Sequence, residues 1–338
     1  MRFGLGVPTG TEGLMYPVPY AGPDDAVRLA VAAEELGFDS VWGNDHVSTQ
    51  AYVRAEFAEP PRYYDPMLYL AYVAARTTRI RLATCILVLP FRNPVLVAKM
   101  AATLDQLSGG RFVLGVGIGA YREELSAMDP DRRINRGEYA REAIEGLTLL
   151  WRERNASYQG RFVSFQDVES YPKPVRGTVP ILSGGNAPGS RERAALLGDG
   201  WMPACLTPEE VAAGVSQIRD SAEAAGRDLP AGFEVALQVG VSVAATREEA
   251  LRRFESSQLY KHLQSLSKTT LKDQDPTDIL NRNLIGTPDD ILEQVDRYRQ
   301  AGVHTLAGLL FAANTVPQTL EQMDEFAAGV IKAEGHHG

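Results

Sequence analysis

The sequence predicts a (β/α)8 barrel, the TIM-barrel architecture, with insertions. Three observations carry that prediction. Short β-rich apolar runs recur eight times along the 338 residues, nearly all followed by a stretch with apolar residues at helical spacing. Alternating β and α elements imply a parallel sheet, and eight units are enough to close it. The first turn, "GVPTGTEG", lacks the G-x-G-x-x-G order that an open dinucleotide-binding sheet would place there.

The elements follow in order. "RFGLGV" (2–7) is a strand ended by Pro8, and "DDAVRLAVAAEELG" (24–37) is a helix stopped by Gly37. "FDSVWG" (38–43) is the second strand, followed by a helix over 65–78 with Pro66 near its start. "IRLATCILVLP" (80–90) is a continuous apolar run, as expected of a strand covered on both faces, and 93–110 is the next helix. "RFVLGVGIG" (111–119) and the helix 136–153 complete the first half. The stretch 155–178 breaks the rhythm and reads as a hairpin-like insertion. Strands at 179–185, 199–204 and 233–244 then alternate with helices at 190–198, 207–226 and 246–263. A second insertion near 264–286, with Lys268, Lys272 and "DQDPTD", precedes a helix (287–302), the last strand (303–311) and a final helix (316–335). With no linker or low-complexity tract, 1–338 reads as a single barrel domain.

Composition narrows the function. Lys plus Arg is 34 against 43 Asp plus Glu, a net charge of −9, which argues against nucleic acid or an anionic membrane as partner. Cys85 and Cys205 fit no metal-type spacing and read as buried thiols of a reducing cytosol. No apolar run is long enough to span a membrane, and the Gly-rich N-terminus is no signal peptide, so a cytoplasmic location is expected.

A barrel of this kind carries its active site where the strands' C-terminal ends run into the helices. Asp45 and His46 pass that test because they directly follow the second strand. His304 begins a strand, His262 ends a helix where a cation would suit the dipole, and His336 and His337 lie in the tail. Two readings of Asp45–His46 stay open. The pair caps a turn, or the imidazole, held by a nearby carboxylate, moves a proton as charge develops. Gly117 and Gly119 would let a flat ring approach the backbone, or simply permit tight packing, with Tyr121 and Glu123 or Glu124 along the wall. Gly184, Gly185 and Asn186 lead through Gly189 to a helix starting near Ser190, with Arg191 and Arg193 in its first turns. Free backbone N–H groups there suit a phosphate, or the glycine-rich loop serves packing alone. Arg92 and Arg122, at loop starts, are candidates for acidic groups of a ligand.

These segments together resemble the bacterial luciferase-like superfamily of flavin- and deazaflavin-dependent oxidoreductases. The resemblance rests on "ELGFDSVWGNDH" (35–46), the run 75–119, "YQGRFVSF" (158–165) with "PKPV", "ILSGGNAPGSRERAALLGDGW" (181–201) and "GTPDDILEQVDRYRQAGV" (286–303). It implies a cofactor, coenzyme F420 (a deazaflavin) or FMN, lying across the barrel mouth with its phosphate at the 184–190 loop. It further implies a homodimer, a small organic substrate and, for a diffusible reduced flavin, a separate reductase. In the deazaflavin-using branch the Asp-His pair sits beside the reactive ring carbon, which makes His46 proton donor or acceptor and Asp45 its orienting neighbour. That branch also has a non-proline cis peptide in the third strand, for which Cys85–Ile86 is the matching dipeptide. Ala120–Tyr121 stands where many relatives have Trp. Hydride transfer with F420 is the preferred expectation and an FMNH2/O2 monooxygenase the alternative. A non-catalytic flavin-binding barrel is the remote one, and a metal-dependent hydrolase lacks the ligands.

Overall fold

The computed structural model describes residues 1–128, 134–265 and 279–335. Lys268, Lys272, the "DQDPTD" stretch, His336 and His337 lie outside them.

Twelve strands are present among the described residues: β1 (Arg2–Val7), β2 (Ser40–Gly43), β3 (Arg81–Thr84), β4 (Leu87–Val88), β5 (Phe112–Gly117), β6 (Ala156–Gln159), β7 (Ser164–Val168), β8 (Ile181–Gly184), β9 (Gly200–Met202), β10 (Glu234–Val243), β11 (Leu284–Gly286) and β12 (Thr305–Phe311). The parallel order β1-β2-β3-β5-β8-β9-β10-β12 returns to β1 through the pairing of Arg2 with Thr305, which closes an eight-stranded barrel. β6 and β7 form the antiparallel hairpin expected within 155–178. β11 only extends β10 beyond the barrel.

The helices are α1 (Pro23–Leu36), α2 (Ala51–Glu56), α3 (Pro66–Ala74), α4 (Pro94–Leu107), α5 (Arg122–Met128), α6 (Arg136–Arg152), α7 (Pro188–Leu197), α8 (Pro208–Ala224), α9 (Arg247–Glu255), α10 (Gln258–Ser265), α11 (Pro288–Gln300) and α12 (Val316–Phe326), the last continuing through a wide turn over Ala327–Ile331. Their starts follow from local chemistry. Pro occupies the first positions of α3, α4, α8 and α11, preceded by the caps Asp65, Asn93, Thr207 and Thr287, whose side chains accept backbone N–H groups. The expected helix over 246–263 is in fact two. Ser257 interrupts it, donating its hydroxyl to Phe254 O and accepting Tyr260 N–H, so one helix ends and another is capped at the same side chain.

Two apolar layers hold the barrel. The helices bury one face each on its outside, as α1 does with Ala26, Val27, Leu29, Ala30 and Ala33. The lumen is filled by Trp42, Ala83, Cys85, Val113, Leu182, Met202, Ala236 and Ala307. At the strands' N-terminal end an ion-pair cluster closes the floor. Arg81 donates to both carboxylate oxygens of Glu234 (3.1 and 3.2 Å) and to Asp39, while Thr305 and Arg2 complete the Glu234 shell. His304 is structural there, its Nδ1 accepting Val235 N–H. No helix among the described residues is long and apolar enough to cross a membrane.

Candidate active site

The third strand run breaks at Cys85–Ile86, a cis peptide between β3 and β4. The Ile86 side chain projects over the ends of β5 and β8. A Cβ added at Gly117 would come within 2.6 Å of Ile86 Cδ1, and one at Gly184 within 2.4 Å of its Cγ2. Both glycines make room for Ile86, which is the packing reading of Gly117, and all three line a cavity of about 920 Å³ with Ile86 on its floor. Cys85 lies on the same floor, fully buried, and burial pushes its thiol well above the usual range. Cys205 likewise rises, to about 12. Neither is poised as a thiolate nucleophile.

One wall of the cavity is the β8–α7 turn. Gly185 N–H is taken by Met202 O (3.0 Å) and Ser190 N–H by Ala187 O (2.9 Å). The Ser190 hydroxyl is also spent internally, on Gly185 O and Ala187 O, so this side chain braces the turn. The N–H groups of Asn186, Ala187 and Gly189 have no partner among the described residues. Asn186 is held by reciprocal bonds with Ala204, and Arg191 donates to its carbonyl. Arg191 and Arg193 line the cavity as the sequence suggested, joined by Arg122 and Arg136. The one acidic residue on the wall, Glu210, is already bonded to Arg282 and to Thr207 N–H. Three free amides lie on this wall beside Arg191 and Arg193, a donor set whose chemistry suits an anion, and Arg122 and Arg136 stand on the same cavity.

The floor also carries unpaired polar atoms. Gln238 Nε2 and Arg191 Nε are buried without a hydrogen-bond partner, and both residues face the cavity. A buried donor left unpaired costs about 1–3 kcal/mol, so such atoms are expected where a ligand completes the bonding. Gln238 escaped the sequence reading, although a Gln inside the apolar run "FEVALQVGVSVA" was the available signal.

His46 stands at the same end of the barrel, just beyond the cavity rim. Ala120 lines the cavity, and the adjacent Tyr121 packs its ring against the imidazole at 5.9 Å, with Tyr63 on another side at 5.4 Å. Tyr121 itself is not on the cavity wall; its hydroxyl meets that of Tyr52, which also reaches His262 Nδ1. The carboxylate beside His46 is Glu124, on α5, whose Oε2 lies 3.1 Å from Nδ1. Glu124 also accepts the N–H groups of Val47 and Ser48. Burial opposes its ionisation, but these bonds, led by that of His46, hold its carboxyl below the usual range.

The expected pairing of Asp45 with His46 is therefore corrected. Neighbouring residues of an extended segment project to opposite sides, and Asp45 points away. It accepts Val88 N–H (2.8 Å) and both terminal nitrogens of Arg92 (2.5 and 2.9 Å), and Arg92 also bonds Asp65. Burial raises the Asp45 carboxyl, with the Arg92 guanidinium and Val88 N–H pulling against it. Arg92 is thus consumed by the protein and unavailable to a ligand. His262 differs too: it is buried and pushed down to about 3 by desolvation, so it is neutral rather than a cation at a helix end. Of the tyrosines in the loops at this end, Tyr63 flanks His46 and Tyr52 reaches Tyr121, whereas Tyr16 stacks on Tyr20 at 4.0 Å in a buried cluster and Tyr64 packs beside Tyr69. No group of three or more His, Cys, Asp or Glu suited to a metal occurs among the described residues.

The state of His46 follows from its neighbours. Nδ1 faces the Glu124 carboxylate and, at 3.1 Å, the Gln50 amide. An ionised carboxylate can only accept, so Nδ1 carries a proton toward Glu124, while the Gln50 amide whose Nε2 stands beside Nδ1 is held through its Oε1 by the Tyr63 hydroxyl (2.8 Å). Nε2 makes no hydrogen bond among the described residues.

Fold and site together define a barrel enzyme with a donor-rich cavity at its mouth and a carboxylate-held imidazole beside it. The chain belongs to the luciferase-like monooxygenase family, whose model matches residues 1–305. It is 28% identical over 299 residues to an F420-dependent glucose-6-phosphate dehydrogenase of Amycolatopsis mediterranei (strain U-32), covering 84% of this chain and 88% of that one. It is also 28% identical over 341 residues to an FMNH(2)-dependent dimethylsulfone monooxygenase of Pseudomonas putida, covering 90% of each. Among solved structures, the monooxygenase RslO1 of Streptomyces bottropensis superposes with a TM-score of 0.79 at 26% identity, over 99% of this chain and 100% of that one.

Proposed function

We propose that this protein is an oxidoreductase that binds a flavin-type cofactor in the barrel mouth, preferably the deazaflavin F420, and acts on a small organic substrate beside His46. The observation that carries the reading is the union, at one end of one barrel, of an anion-binding wall with an imidazole whose Nε2 is unspent. Relatives named for F420 and for FMNH2 each cover most of the chain, which supports the cofactor class.

The residues fit such a group. The free amides of Asn186, Ala187 and Gly189, with Arg191 and Arg193, would hold its phosphate. Ile86 and Cys85 would lie under the ring, and Gln238 Nε2 would gain the partner it lacks. When bound, the deazaflavin would supply hydride chemistry, and reduced FMN oxygen chemistry; the protein supplies position and electrostatics. Glu124 fixes the Nδ1–H form of His46, so Nε2 takes a proton from a substrate hydroxyl or, once protonated, returns one to a carbonyl. The aromatic rings of Tyr63 and Tyr121 limit water at the imidazole.

The P. putida and S. bottropensis relatives favour a second reading, an FMNH2/O2 monooxygenase on the same site. A reductase supplying reduced cofactor in trans belongs to that reading, and a homodimeric assembly and a cytoplasmic location to both. Titration of the purified protein with oxidised FMN and with the deazaflavin, followed by ring fluorescence, tests occupancy. Saturable quenching is expected; no quenching by either removes the proposal.

A further inference from the structure

We propose that Arg122 and Arg136 form a second anion subsite at the cavity rim, which takes a carboxylate-bearing extension of the cofactor beyond its phosphate. This rests on the reading of the cavity as the cofactor site. It deepens that reading by naming what the tail carries.

The starting observation is an excess of charge. The chain carries a net charge of −9, yet the cavity wall collects four arginines against a single glutamate that Arg282 already occupies. None of the four forms an ion pair among the described residues, whereas Arg2, Arg62, Arg81 and Arg92 are each paired with a carboxylate. One phosphate at the β8–α7 turn is satisfied by three amides with Arg191 and Arg193. Arg122 and Arg136 remain.

These two belong together. Arg136 Nη1 is fixed by the carbonyls of Ile118 and Gly119 at the end of β5 (3.3 and 2.6 Å), and Arg122 opens α5 three residues past Gly119. Burial lowers the Arg136 guanidinium, and the neighbouring charge of Arg122 lowers it further. Two guanidinium groups that repel each other beside a cavity, with no acid between them among the described residues, are relieved by an anion placed between them. Their forked donors match carboxylates, and Arg136 still has donors that its two carbonyl bonds leave free. A ribityl monophosphate ends at the turn and would leave this pair unmatched. A deazaflavin nucleotide with an acidic oligoglutamate tail would not.

The test is a set of fluorescence titrations on the full chain with three probes: FMN, the deazaflavin with its oligoglutamate tail, and the same deazaflavin trimmed to its phosphate-proximal portion without glutamates. The wild type is expected to bind the tailed form about tenfold more tightly than the trimmed one, with the difference shrinking as salt rises. Arg122→Ala, at an exposed side chain with no hydrogen bond among the described residues, should erase most of that difference while leaving FMN binding unchanged, and Arg122→Glu should reverse it. Far-UV circular dichroism of each variant checks that it is folded. Equal affinity for tailed and trimmed forms overturns the subsite. So does an Arg122→Ala variant that weakens FMN and the tailed form equally, because then all four arginines serve one phosphate. If no ring cofactor binds at all, the cofactor reading itself has failed, which is a separate outcome.

Discussion

The two ends of this barrel differ in how completely their buried polar groups are matched. At the floor, the Glu234 carboxylate is surrounded by Arg81, Arg2 and Thr305, and Arg81 also reaches Asp39, so the charges are matched side chain to side chain. At the mouth, among the described residues, Thr11 Oγ1, Asn44 Oδ1, Ser183 Oγ, Gln238 Nε2 and Arg191 Nε are buried without a partner, and four arginines face a cavity with no free acid. A self-satisfied cluster contributes to folding and gains nothing from a ligand. An unsatisfied one lowers the stability of the empty protein and repays it on binding. The same barrel therefore separates a structural end from a functional one.

Substitutions should respect that division. The largest effect is expected at His46. His46→Ala should lower turnover by about 10²–10⁴-fold while cofactor affinity stays near wild type and the thermal midpoint falls, because buried Glu124 loses its leading partner, as read by steady-state kinetics, ring fluorescence and calorimetry. A variant with unchanged turnover would remove the imidazole from the chemistry and leave the mouth as a binding surface. At the floor, Glu234→Ala should cost about 3 kcal/mol in urea unfolding, because Arg81 loses its main partner, with little change in cofactor affinity of the folded fraction. An equal loss of cofactor binding would show that the two ends are coupled.

Gln238→Leu should act with the opposite sign. It removes an unpaired buried donor, so the empty protein should gain about 1 kcal/mol while cofactor binding weakens. The smallest expected effect is in the pH profile. Burial opposes ionisation of Glu234, but Arg81, Thr305 and Arg2 hold its carboxyl below the ordinary glutamate value of 4.5. A carboxyl depressed in the folded state contributes stability that is complete above that value and is lost as pH falls through the lower, folded one. Acid unfolding of the wild type should therefore steepen below about pH 4, and Glu234→Gln should flatten that limb.

Much of this division was legible in the sequence, and the rest was hidden for physical reasons. The eight barrel strands announce themselves because each is covered on both faces and reads as a short apolar run. The short helices α2 and α5 and the three-residue β11 do not, since loop inserts of one or two turns carry too little periodicity. The donor-rich β8–α7 turn was recognisable from its glycines and the arginines at the start of α7. The partner of His46 was not, because adjacency in sequence favours Asp45 whereas the fold brings Glu124 from 78 residues away. Arg136 looks like any surface helix residue until α6 is packed beside β5.

The central claim is that a planar redox ring rests on Ile86 with its phosphate at the β8–α7 turn. A crystal structure of the protein with oxidised deazaflavin tests it most directly. The account predicts phosphate density against the N–H groups of Asn186, Ala187 and Gly189, a hydrogen bond from Gln238 to the ring, and the ring's reactive face turned toward His46. A phosphate bound elsewhere, with those three N–H groups facing only solvent, would contradict it.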